Sequence, residues 1–215
     1  LRVVMVRITK VHTGIGDRGT TVHLNGETVS KGDDRLEVVG CIDELNCLIG
    51  IVRMELKRMP GTTLDGGPRT TVLVAQRQFD RTLAHLQQEL FDLGAECSTT
   101  PDSIPEGMQV LPAESCERLV NEMDEWLEEV EPLSSFILPS GNAVVANLHL
   151  ARSVTRRCER RLATLRDNDG EESVRITSLT YLNRLSDWLF VLCRIISARF
   201  GEDEELWEPL GKRNQ

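Results

Sequence analysis

Five arginines fall within ten residues: Arg152, Arg156, Arg157, Arg160 and Arg161, with Glu159 the single acid among them. Guanidinium groups pair with phosphate oxygens in a fork geometry, so this density fits an anion site. A solvated basic face is the plainer alternative, and a structural face paired with acidic neighbours is a third. The chain as a whole has 25 Lys and Arg against 34 Asp and Glu, a formal net charge of −9. That balance argues against general affinity for nucleic acid or anionic membrane, and it makes a local basic cluster informative.

Two other stretches carry polar groups in unusual settings. Near the N-terminus, Gly14, Gly16, Gly19, Gly26 and Gly32 interleave with Thr13, Thr20, Thr21 and Lys31. Such a loop can surround an anion with backbone N–H groups, and it is equally an ordinary glycine-rich turn. The Gly14 to Gly19 spacing mimics the start of a Walker A loop, but Thr20 stands where that motif needs Lys. Farther on, Y-L-N-R-L-S-D-W-L-F places Asn183 among apolar residues, four before Asp187. A buried amide needs partners, so Asn183 reads as a core network residue or a ligand contact.

Other chemistry lacks its signature. Cys41, Cys47, Cys97, Cys116, Cys158 and Cys193 form no C-x-x-C, and His12, His23, His85 and His149 no H-E-x-x-H or E-x-x-H. Zinc and di-iron sites are therefore not expected, and the cysteines read as mostly buried, reduced thiols. His149 reads as a core or surface histidine rather than a ligand.

The elements that must position these groups follow from periodicity. Pro139 to Gly141 breaks the chain, Ser140 or Asn142 can cap the next helix, and no Pro or Gly then appears until Gly170. On that helix Val144, Ala151, Val154, Cys158 and Leu162 form one stripe. Arg156, Arg157, Arg160 and Arg161 point away from it, with Arg152 and Glu159 at its edge. Four more amphipathic helices are expected over about 36–58, 70–97, 113–130 and 174–200. Ile176, Leu179, Leu182, Leu185, Leu189, Leu192 and Ile196 should line the last. The fold class is all-α, a five-helix antiparallel bundle in a single domain spanning residues 1–215. Residues 1–35 form an irregular loop with at most a short strand, 36–200 the bundle, and 201–215 a poorly ordered tail. No run of about 18 apolar residues exists and no secretory segment is evident, so a cytoplasmic location with no membrane contact is expected.

Three segments together resemble the PduO-type ATP:cob(I)alamin adenosyltransferases. They are T-G-I-G-D-R-G-T-T with V-S-K; G-C-I-D-E-L-N; and F-I-L-P-S-G with H-L-A-R-S-V-T-R-R-C-E-R-R and Y-L-N-R-L-S-D-W-L-F. The likeness runs from about residue 8 to 200. It implies transfer of the 5′-deoxyadenosyl group of ATP to the cobalt of cob(I)alamin, with triphosphate released and Mg²⁺ present. The alternative is a carrier or regulator that binds nucleotide or corrinoid without catalysis. A homotrimer with sites between subunits is implied, with a cobalamin reductase and an adenosylcobalamin-dependent enzyme as protein partners. Thr13, Gly14, Ile15, Gly16, Thr21, Val22 and Lys31 would hold the nucleotide, joined by Arg156, Arg157, Cys158, Glu159, Arg160 and Asn183. Glu159 is the candidate Mg²⁺ ligand. Asp43 would pair with Arg152 of a neighbouring copy, and Phe136 would lie under the corrin ring and displace its lower ligand. Gly14 and Ile15 stand where the family has a basic residue followed by Thr or Asn, and Trp188 where Tyr is usual.

Overall fold

The computed structural model describes residues 12, 14 and 16–212. Its five long helices are α1 (Asp34–Arg58), α2 (Thr70–Cys97), α3 (Ala113–Leu127), α4 (Ala143–Asp169) and α5 (Ile176–Phe200). α4 packs on α1 and α5, α2 on α1 and α5, and α3 on α5. α1 and α4 run antiparallel, because Asp34 meets Asn168 while Glu44, ten residues later, meets Arg157.

The boundaries follow from local chemistry. The Asn142 side chain accepts from the N–H groups of Val144 and Val145, at 2.8 and 3.1 Å, satisfying donors left free at the start of α4. α5 ends on Gly201 with φ +70°, a left-handed position where a Cβ would be strained. α3 stops at Leu127, short of the expected Val130.

The stripe expected on α4 is buried throughout, from Val144 to Leu162. Burying each such aliphatic side chain contributes roughly 1.5–3 kcal/mol. On α5 the expected stripe is too long by one turn. Ile176 is 64% exposed, because the helix starts there and nothing covers its first turn. Trp188 is fully buried, packs tilted against Trp126 with ring centroids 5.3 Å apart, and donates its indole N–H to Glu122 Oε2 at 2.7 Å. A tryptophan fits there because a carboxylate meets its polar edge.

Two short strands precede the bundle, β1 (Thr20–Val22) and β2 (Thr28–Ser30), paired antiparallel with Thr21 opposite Val29. The tail departs from expectation. It is docked: Leu138 N–H donates to Glu205 O at 2.8 Å and Trp207 N–H to Phe136 O at 2.6 Å, laying the tail antiparallel to the loop before α4.

Candidate active site

The arginine cluster divides in two. Arg157 pairs with Glu44 of α1, and Arg161 Nε lies 3.3 Å from Glu37 Oε1. These two tie α4 to α1, as a structural reading of the cluster expects. Arg156 and Arg160 are exposed and have no ion pair among the described residues. Cys158, between them in sequence, is fully buried, and burial pushes its thiol up to about 12. Its side chain packs the core and offers no thiolate.

Glu159 and Asn183 meet across the α4–α5 groove. Asn183 Nδ2 donates to Glu159 Oε1 at 2.8 Å. The amide is exposed, because residue 183 falls on the uncovered side of α5 with Asp187 while Leu182 and Leu185 of the same turn face the core. A groove of about 530 Å³ opens there, lined by Glu159, Asn183, Arg184, Asp187, Met123 and Leu179. One Glu159 oxygen is engaged by Asn183. The described residues hold no cluster of three metal-ligating side chains. A Mg²⁺ ion carried on phosphate oxygens needs one carboxylate and no protein cage, and Glu159 fits that need.

The glycine loop folds onto itself. Gly14 adopts φ +73°, where the basic side chain usual in the resembled family would be strained. A Cβ on Gly16 would sit 2.8 Å from Lys31 Nζ, so the missing side chain lets the ammonium group lie against the loop backbone. Lys31 N–H donates to Gly19 O at 2.9 Å, and the β1–β2 pairing brings Thr21 and Val22 to the same hairpin. Thr13 and Ile15 lie outside the described residues. The hydrogen bonds and ion pairs described for residues 16–31 stay within residues 14–33. None reaches Arg156, Glu159 or Asn183.

Asp43 is exposed on α1, and no described hydrogen bond or ion pair joins it to Arg152. Arg152 is half-buried, and its Nε is buried without a hydrogen-bond partner. Phe136 is 78% exposed, with the Trp207 ring centroid 6.3 Å away and edge-on. Both rings border a cavity of about 900 Å³ shared with Phe190, Leu133, Leu206 and Pro209. Sequence reasoning missed Trp207 and Phe190. The available signal was Arg194, a lone charge on the apolar face of α5, followed by acids at 202–205 with nothing else in view to pair it.

Comparison with known proteins adds the following. Residues 11–196 match the family model described as cobalamin adenosyltransferase. The chain is 35% identical over 192 residues to a corrinoid adenosyltransferase of Bacillus subtilis (strain 168), covering 89% of each chain. It is 35% identical over 206 residues to a cobalamin adenosyltransferase of Cupriavidus metallidurans, covering 94% of this chain and 96% of the relative. A variant PduO-type ATP:corrinoid adenosyltransferase from Lactobacillus reuteri, solved with cobalamin and ATP, superposes with a TM-score of 0.78. That likeness is at 26% identity and covers 93% of this chain and 100% of the other.

Proposed function

This chain belongs to the cobalamin adenosyltransferase family, and from that premise we infer that it is an ATP:corrinoid adenosyltransferase. It transfers the 5′-deoxyadenosyl group of ATP to the cobalt of cob(I)alamin. The cobalt electron pair forms the bond to C5′, the C5′–O bond breaks, and triphosphate leaves with that bond's electrons. The metal of the substrate is the nucleophile, so the protein needs no activated serine or cysteine. Its tasks are to align an in-line attack and to hold a highly charged leaving group.

The observation that carries the residue assignment is the division of the arginines. Arg156 and Arg160 stay free of carboxylates beside the Glu159–Asn183 pair, while Arg157 and Arg161 are spent on α1. Arg156 and Arg160 bind the triphosphate, with Lys31 and the backbone of Gly14 and Gly16 from the hairpin. Asn183 orients Glu159, whose carboxylate would hold Mg²⁺, an ion that would supply positive charge for the leaving triphosphate.

The site is completed between copies, in a homotrimer. Support comes from the hairpin, whose described bonds reach neither Arg156 nor Asn183, and from Asp43 and the buried Arg152 Nε, which no ion pair or hydrogen bond joins among the described residues. Exposed Ile51 and Met54 on α1 and Leu150 on α4 give a subunit face apolar area to cover. Phe136 lies beneath the corrin and displaces its lower ligand, which eases reduction of the cobalt.

The deciding experiment mixes purified protein, ATP, Mg²⁺ and chemically reduced cob(I)alamin without oxygen. Appearance of the adenosylcobalamin spectrum with an equal amount of triphosphate is expected. Binding of both substrates without triphosphate release would overturn the reaction and leave a carrier.

A further inference from the structure

The segment after α5 has no assigned role, yet backbone and side-chain bonds tie it to α5 and to the loop before α4. Arg194 is buried, with its Nε 3.0 Å from Glu204 Oε1 and its Nη2 donating to Glu131 O at 2.7 Å. A buried guanidinium that lost Glu204 would be left with a charge unpaired, so the contact is strongly enforced. Asn142, the cap of α4, donates to Glu202 Oε2 at 2.6 Å. Two backbone bonds, Leu138 to Glu205 and Trp207 to Phe136, then fix the register of tail against loop. The Ser135 hydroxyl donates to Trp207 O at 2.7 Å. Apart from the two made by Arg194, each of these bonds lands on the stretch 135–142 that carries Phe136 into α4 or on its cap.

Phe136 itself has little else to hold it. Its ring is largely exposed, and Trp207 is its ring-to-ring contact among the described residues. An aromatic side chain that must occupy a ligand's coordination position needs its backbone and χ angles fixed beforehand, since a displacement of about 1 Å can cost up to ~100-fold.

We propose that Glu202–Trp207 is a strap that positions Phe136, with Glu204 anchoring it on Arg194 and Trp207 bracing the ring. The proposal rests on the reading of Phe136 as the residue under the corrin. Glu204 and Trp207 are positioning residues; neither needs to touch ATP or cobalt.

The test uses the full chain with Glu204→Gln, Trp207→Ala and Trp207→Phe, beside Phe136→Ala. Amide hydrogen exchange at Leu138, without ligands, reads the strap directly. Turnover is then measured from cob(II)alamin with reduced flavin as electron donor, and separately from chemically prereduced cob(I)alamin. Faster exchange is expected in Glu204→Gln and Trp207→Ala. Turnover from cob(II)alamin should fall about tenfold at unchanged KM for ATP, while turnover from cob(I)alamin, which carries no lower ligand, is kept. Trp207→Phe should restore most of the loss. If Phe136→Ala is impaired from cob(II)alamin while Trp207→Ala and Glu204→Gln match the parent, the strap proposal is wrong and the Phe136 reading stands. Equal losses from both cobalt states would make the strap merely structural, which also overturns it. If Phe136→Ala itself is unimpaired, the reading of Phe136 fails and takes the strap's role with it.

Discussion

The loop carrying Phe136 is tied to the tail of its own chain by backbone and side-chain bonds. Arg156 and Arg160, by contrast, meet no carboxylate among the described residues, and the glycine hairpin bonds within itself. One region is finished inside a single chain and the other is left open. Under the proposed assignment, the difference follows from what each would hold. A triphosphate brings its own charge and acceptor oxygens, so cationic groups can wait in solvent and be organised by the ligand. An apolar ring has no such directional partner, and its position must be set by the protein in advance.

The largest expected effect lies on the open side. Arg156→Ala should lower kcat/KM for ATP by about 100-fold, because charge-assisted hydrogen bonds are worth ~1.5–3 kcal/mol and 1.4 kcal/mol is tenfold. Steady-state kinetics with varied ATP measures it, and Arg161→Ala, which loses only its contact with Glu37, should leave it near the parent value. Near-equal effects of the two substitutions would erase the division of the cluster. Next is the assembly. Asp43→Arg with Arg152→Asp should recover activity that either single change loses, with a coupling of ~1–3 kcal/mol if the two meet across copies. Sedimentation alongside kinetics tells recovered assembly from recovered chemistry, and strictly additive losses would count against the contact.

A smaller effect is expected in the hairpin. Gly16→Ala places a Cβ 2.8 Å from Lys31 Nζ and must push the ammonium aside. KM for ATP should rise about three- to tenfold, the loss of one hydrogen bond worth ~0.5–1.5 kcal/mol, with the melting temperature unchanged. An unaltered KM would remove Lys31 from the site.

The smallest effect belongs to the closed side. His149 is buried beneath the tail, beside Cys193, Glu204 and Glu205, and its Nδ1 has no hydrogen-bond partner. Burial and, after it, the Arg152 charge hold its imidazole below the ordinary value near 6.5, with Glu204 opposing. The unfolded chain therefore takes up a proton first as pH falls. The contribution of this group is fully present above about 6.5 and is lost as pH drops from there toward the lowered native value. Thermal melts should show an acid limb in that window that His149→Gln flattens. An unchanged limb would assign it to other groups.

The α4 stripe, the Asn142 cap and the outward set of arginines were legible because each is a property of one helix and its period. For Asn183 the core alternative fails for the opposite reason, and the ligand-contact alternative is left: its apolar neighbours in sequence lie on other faces of α5, and only packing decides which face is covered. The tail was misjudged because acids at 202–205 look like solvated charge until Arg194 is known to be buried opposite Glu204. Likewise Arg156 and Arg157 are adjacent and identical in type, and nothing local says that Glu44 claims one of them.

Composition, periodicity and the ordered motifs by themselves determined a five-helix bundle, its family and the helix that carries the outward arginines, since these depend on local spacing and residue chemistry. Tertiary structure alone decided which arginines remain free, that Asn183 faces outward onto Glu159, and that the tail closes over the Phe136 loop. Those outcomes depend on which distant charges meet, and hydrogen bonds between elements far apart in sequence leave no periodic trace in it.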